Sequence, residues 1–148
     1  MWNYIKNNEE MDLFMKKVDF FHDTCIKEMR YVSGAYADDC WMSPVNSQLS
    51  LRVVIQGSFE HGSTIELSFK GLKYLHLIPV EEGYSCDIFH ATMKIENDTI
   101  LWYDCQELNG SELEKYKGTV ICASRVYWRA LPHITGNKIY YKVANEFD

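Results

Sequence analysis

Met11, Phe14, Met15, Val18 and Phe21 fall at helical spacing and form one apolar stripe. The pattern predicts an amphipathic helix of about four turns, fading at His22. Asn7 or Asn8 can cap its start, and Glu9, Glu10 and Asp12 occupy the first turn, where the helix dipole favours acids. Lys16 and Lys17 face outwards near the opposite end, where cations are favoured. Such a one-sided helix requires a flat apolar surface to cover.

The period changes after Thr24. Ile26, Glu28, Arg30 and Val32 alternate with Cys25, Lys27, Met29 and Tyr31. The alternation is imperfect and leaves helix open, but β-branched and aromatic residues before Ser33-Gly34 favour a strand. Residues 37–48, with Pro44, read as a loop. Residues 49–70 read as a hairpin in which Leu49, Leu51, Val53, Ile55 and Phe59 share a face with Ile65, Leu67 and Phe69. The expected pairing sets Phe59 against Ile65 and Ile55 against Phe69 across an odd-length loop containing Gly62. Gly71 is expected to bend the chain before a further strand, Lys73 to Ile78, ended by Pro79.

A second hairpin turns at Asn97-Asp98, residues that tolerate positive φ. Pairing Glu96 with Thr99 sets Ile95 against Ile100, Met93 against Trp102 and Ala91 against Asp104, with His90 facing Cys105. A polar connection over 106–118 carries one helical turn at Ser111–Tyr116. Thr119 to Leu131 reads as a strand, and Lys138–Val143 as a last short one. The fold class is therefore α+β, as a single domain over 1–148. One N-terminal helix packs on a twisted or partly rolled, mostly antiparallel sheet of six to seven strands.

Composition narrows the function classes. The 148 residues carry a net charge of −6, a poor match to a phosphate backbone, so nucleic acid is not an expected partner. An acidic chain is better matched to a basic protein. No signal-peptide pattern opens the sequence and no run of 18 apolar residues occurs, so no membrane partner is expected. Cys25, Cys40, Cys86, Cys105 and Cys122 are odd in number and widely spaced, and read as reduced thiols of a cytoplasmic protein.

The candidate chemistry is sparse. His22 is placed to meet free carbonyls at the helix end, and Asp23 to make an Asx turn as the strand begins. Cys86 and His90 are the one close pair of metal-ligand types, about 13 Å apart on an extended strand, so no metal is expected. No cysteine lies in an activating context, and no phosphate-binding or dinucleotide motif is present, so neither a catalytic residue nor a cofactor is assigned. Arg125, Tyr127 and Arg129 share one strand face, as a cation–π ladder or a recognition patch. Trp41, Tyr140 and Tyr141 add aromatic surface.

Phe21-His22-Asp23 followed by Ile26, and the stretch Phe69 to Leu75 (FKGLKYL), resemble a pattern in short bacterial domains. Some of those are assigned as immunity proteins of polymorphic toxin systems; others are uncharacterised. The resemblance spans about half the chain and departs from the pattern at charged Lys27, Glu28 and Arg30. It implies a binding role and supplies no catalytic residue. The leading expectation is thus a non-enzymatic cytoplasmic protein-binding module, of the immunity type, using His22, Asp23, Trp41, Arg125, Tyr127 and Arg129. The alternative is a small hydrolase or ligand-binding protein with a pocket around His22, Asp23 and His90. A structural homodimer is the third reading.

Overall fold

The computed structural model describes residues 1–40, 42–43, 45–59 and 62–141. In chain order its elements are β1 (Asn3–Ile5), α1 (Asn8–Lys17), a 3-10 turn (Asp19–Phe21), β2 (Cys25–Val32), β3 (Tyr36–Ala37) and β4 (Met42–Ser43). There follow β5 (Ser50–Phe59), β6 (Gly62–His76), β7 (Thr92–Glu96), β8 (Thr99–Tyr103), α2 (Gly110–Lys115) and β9 (Val120–Ala130). The class is α+β. Seven strands make one open antiparallel sheet in the order β2-β5-β6-β9-β8-β7, with β1 paired to β9; β3 and β4 make a separate ribbon that begins at Tyr36 and overlaps the expected 37–48 loop. β9 is the spine. It pairs along β6 from Ala130 to Val120, while β8 takes Val120–Ala123 and β1 takes Val126–Trp128 on its other edge.

The stripe on α1 does what its spacing requires. Met11, Phe14, Met15, Val18 and Phe21 are all buried, in one cluster with Leu51, Val53, Ile55, Leu67, Phe69 and Trp102 from the sheet. The Asn7 side chain caps the helix by accepting from the Glu10 N–H at 2.9 Å, a contribution of about 1 kcal/mol.

The helix is shorter than four turns. It stops at Lys17, and Asp19, Phe20 and Phe21 then take φ of 46°, 51° and 58°. Left-handed conformations cost non-glycine residues roughly 1–2 kcal/mol each. Two gains offset this. Phe21 becomes fully buried, and the turn is tied to a distant segment: Ala91 N–H donates to Phe20 O at 2.8 Å, and Asp23 N–H to Ile88 O at 2.9 Å.

The imperfect alternation in β2 is a bulge. The register with β5 slips between Ile26 and Glu28, so Ile26 and Met29 both reach the core although three positions separate them. In the first hairpin Ile55 opposes Ile65 and Leu51 opposes Phe69, four residues away from the expected register. Both registers put the same side chains inward, so parity alone does not choose between them. The odd residue sits in an irregularity between Gln56 and Phe59, and Phe59 pairs with Gly62.

β6 runs unbroken through Gly71, which takes φ +62°; a Cβ there would lie 2.8 Å from Ser124 Oγ. The strand continues through this left-handed residue as one element with the expected Lys73–Ile78 strand, and closes at His76 rather than Ile78. The second hairpin has the expected register throughout Thr92–Glu96, with Asn97 and Asp98 at φ 49° and 57°. Ala91 and His90 precede the ladder.

The opposite face of the sheet carries a second, smaller apolar cluster. Leu101, Tyr103, Val120 and Cys122 are covered by Leu108, Leu113 and Tyr116, held in place by α2 and its Asn109–Glu112 capping box. Further along the same strands the chain crosses back after β9, and Leu131 N–H donates to Thr64 O at 2.8 Å. The last expected strand is not formed at Lys138–Tyr141. The backbone N–H groups of Tyr140 and Tyr141 donate instead to the Glu28 carboxylate, at 2.7 and 3.1 Å, which removes the donors a ladder would need. Lys142 and Val143 lie outside the described residues.

Candidate functional site

The corner after α1 places His22 and Asp23 on the surface, their side chains 45% and 82% exposed. The helix-end carbonyls are not the partners of His22. Its Nδ1–H donates to the carbonyl of Phe89, 67 residues away, at 2.7 Å, and its Nε2 lies 3.4 Å from Asp23 Oδ2. The Phe89 carbonyl, and then Asp23, hold the imidazole pKa above its ordinary value. Asp23 turns the chain with φ 54° and sets its carboxylate against His22 Nε2, an ion pair when the imidazole is protonated, in place of the expected Asx turn. The Phe89 ring meets the His22 ring edge-on at 5.9 Å.

Ionisable groups do converge near His90. A cleft of 490 Å³ is lined by Asp87, Phe89, His90, Asp104, Cys105 and Tyr116, among others. Its chemistry is already engaged. Asp104 Oδ1 accepts from Tyr116 O–H at 2.5 Å and from Thr119 N–H at 3.1 Å, and the His90 ring stacks flat on Phe20 at 4.7 Å. Burial pushes the Cys105 thiol up, and Cys25 and Cys122 likewise, which favours thiol over the nucleophilic thiolate. The wall of this cleft does not include His22 or Asp23. Residues 86–90 do not form the regular strand expected for Cys86 and His90; only Ile88 bridges, to Thr24. Among the described residues no three His, Cys, Asp or Glu side chains are placed to hold a metal ion.

Between β6 and β7 the chain follows a long irregular path with an unusual surface. Leu77, Ile78, Val80, Tyr84 and Phe89 are all exposed, Tyr84 to 72% and Phe89 to 82%. Glu81, Glu82 and Asp87 are exposed among them. The segment folds around a cleft of 340 Å³, lined by Leu77, Pro79, Val80, Tyr84, Ile26 and Ile88, with Asp104 and Thr119 on its far wall. Through the Phe89–His22 contact this loop is continuous with the His22-Asp23 corner, which adds Asp23 to its acidic rim.

Arg125, Tyr127 and Arg129 do share a face, but they do not act as one ladder. Arg125 is exposed and Tyr127 stacks on Tyr4 at 4.8 Å. Arg129 turns inward: its Nε and Nη2 lie 2.7 and 2.6 Å from Glu66 Oε2, and its guanidinium sits over the Trp2 ring at 4.4 Å. Glu66 is fully buried and also accepts from Tyr141 O–H at 2.8 Å. Arg129 is thus a structural anchor, and Trp41 lies outside the described residues.

Sequence reasoning missed the 77–89 loop, which reads as a strand end stopped by Pro79. The available signal was its density of large apolar residues between acids where no periodicity applies. No helix among the described residues is long and apolar enough to cross a membrane. In comparisons with known proteins, no family model, curated protein or solved structure matches the chain.

Proposed function

We propose that the chain is a non-catalytic protein-binding module that docks a basic partner through its 77–89 loop and the adjoining His22-Asp23 corner. The exposure of Leu77, Ile78, Val80, Tyr84 and Phe89 in one segment carries this reading. Large apolar groups kept in water within a single segment are the mark of a surface meant to be covered. Aromatic knobs are the residue type that dominates binding energy. Glu81, Glu82, Asp87, Asp19 and Asp23 supply the complementary charge for a cationic partner, within a chain of net charge −6. An immunity-type role, in which the partner is a basic toxin, is the specific form supported by the resemblance at Phe21-His22-Asp23 and Phe69–Leu75. A hydrolase is less well supported, because Asp104, His90 and Cys105 are held by structural partners.

The test is affinity capture from the native cell with the wild-type chain and two variants. Tyr84→Ser with Phe89→Ser should lose a captured protein of high isoelectric point, since truncating a central aromatic costs about 2 kcal/mol or more. Glu81→Lys with Glu82→Lys should weaken the capture and reduce its salt dependence. Equal capture by the wild type and both variants, or turnover of a small substrate by the isolated chain, would overturn the reading.

A further inference from the structure

The outer face of the sheet gathers positive charge in an otherwise acidic protein. Pairing sets Arg30 opposite Arg52 across β2 and β5, and Lys70 opposite Arg125 across β6 and β9; Ser50 pairs with Lys70 and Arg52 with Ser68. Like charges directly opposite on neighbouring strands are destabilising unless something neutralises them. Arg52 has one ion-pair partner among the described residues, Glu66 at 3.9 Å, whose oxygens are already engaged by Arg129 and Tyr141. Arg30 and Lys70 make no ion pair or side-chain hydrogen bond with any described residue.

Two clefts open on this face. One, of 270 Å³, is lined by Arg30, Val32, Gln48, Ser50, Arg52 and Lys70. The other, of 230 Å³, is lined by Trp2, Arg52, Ser68, Lys70 and Tyr127. They share Arg52 and Lys70, and no carboxylate lines either. Their floors are the recessed Ser50 and Ser68, 5% and 3% exposed, whose hydroxyls are bonded to no described side chain or carbonyl.

We propose that these joined clefts form an anion site for a small phosphate ester carrying a flat ring, the chemistry of a nucleoside monophosphate. The guanidinium forks of Arg30 and Arg52, the Lys70 ammonium and the Ser50 hydroxyl suit a phosphate, whose oxygens accept several charge-assisted hydrogen bonds at once. Trp2, whose ring centroid lies 5.7 Å from the Arg52 guanidinium, and Tyr127 line the second cleft beside the shared cations, where a ring attached to that phosphate would rest. The pair of clefts has the size and the mixed polar and aromatic lining of a small-molecule site. It shares no residue with the 77–89 loop, so its occupancy and partner docking are separately testable.

The experiment is calorimetric titration of the full chain with adenosine monophosphate, inorganic phosphate and adenosine, alongside amide chemical shifts. Adenosine monophosphate should bind more tightly than phosphate, adenosine should not bind, and shifts should map to residues 30–32, 48–52, 68–70 and 127. Lys70→Ala and Arg30→Ala, at residues with no described partner to lose, should each weaken binding about tenfold. Trp2→Ala should weaken adenosine monophosphate while leaving phosphate unchanged. No saturable binding of adenosine monophosphate, equal binding of adenosine, shifts confined to other surfaces, or affinity unaltered by Lys70→Ala and Arg30→Ala would each overturn the proposal.

Discussion

Glu66→Gln is the sharpest probe of how the outer face is held together. The glutamate side chain is fully buried, accepts from both Arg129 nitrogens at 2.7 and 2.6 Å, and accepts from Tyr141 O–H at 2.8 Å. Glutamine preserves the shape and removes the charge. One amide oxygen remains as acceptor, while the NH2 group must face either the Arg129 guanidinium or the Tyr141 hydroxyl. Stranding one member of a buried pair costs about 3–5 kcal/mol. Arg129 keeps 26% of its side chain exposed, and it retains Trp2 and the Tyr140 hydroxyl as partners, so the lower end applies, about 3 kcal/mol. With a urea slope of about 2 kcal/mol per molar for a chain of this size, the midpoint should fall by roughly 1.5 M at unchanged slope. A second readout is Tyr141, whose pKa is pushed above the ordinary tyrosine range by burial first and Glu66 second. Removing the carboxylate charge should lower it without restoring the ordinary value, as followed by phenolate absorbance. A midpoint shift below about 0.5 M would mean that Glu66 and Arg129 are solvated independently, and the reasoning would fail.

Other outcomes follow from single positions. Gly71→Ala should destabilise by more than about 1 kcal/mol in thermal unfolding, because φ +62° is strained for alanine and its methyl would meet Ser124 Oγ at 2.8 Å. A neutral effect there would contradict a left-handed Gly71 packed on Ser124. The His22 imidazole should titrate above 6.5 by NMR, and Asp23→Asn should lower it only partly, since the Phe89 carbonyl is the larger cause. The sign of its linkage is that of a raised folded pKa: the stabilisation is full below the unfolded value and is lost as pH rises through the folded one. Stability greater at pH 8 than at pH 6 in the wild type, traced to His22 by His22→Gln, would contradict the geometry. The Cys105 thiol, raised by burial, should react with iodoacetamide more slowly than exposed Cys40 at pH 7.5. Faster reaction at Cys105 would reopen the nucleophile reading.

Local pattern and long-range pairing were unequally legible. The stripe Met11–Phe21 named five core residues correctly, because helical spacing marks a buried face whatever lies beneath it. Its end was misplaced, since a left-handed run at Asp19–Phe21 leaves no periodic signal and is held by Ile88 and Ala91 from elsewhere in the chain. The second hairpin was legible from Thr92 to Tyr103, because Asn97-Asp98 fixes both turn and register, whereas the expected pairs Ala91–Asp104 and His90–Cys105 fall outside the ladder. The first was not, since registers four residues apart bury the same faces and the irregularity at Gln56–Phe59 has no residue signature. Nothing in the local pattern marks Glu28 and Glu66 as anchors. Their partners, Tyr140, Tyr141 and Arg129, lie 112, 75 and 63 residues away, and only the strand order brings them together. The same holds for Arg30, Arg52 and Lys70, whose clustering requires β2, β5 and β6 to be neighbours. Of the binding residues named from sequence, His22 and Asp23 join the exposed loop, whereas Arg129 turns out to anchor the interior.

Docking through the 77–89 loop is tested most directly by placing a photo-crosslinking phenylalanine analogue at Tyr84, 72% exposed, and irradiating in the native cell. A control carries the same analogue at Asn97, on the turn between β7 and β8. Partner docking predicts one adduct with a basic protein from position 84 and none from position 97. Absence of any adduct at 84, or the same adduct from both positions, would contradict it.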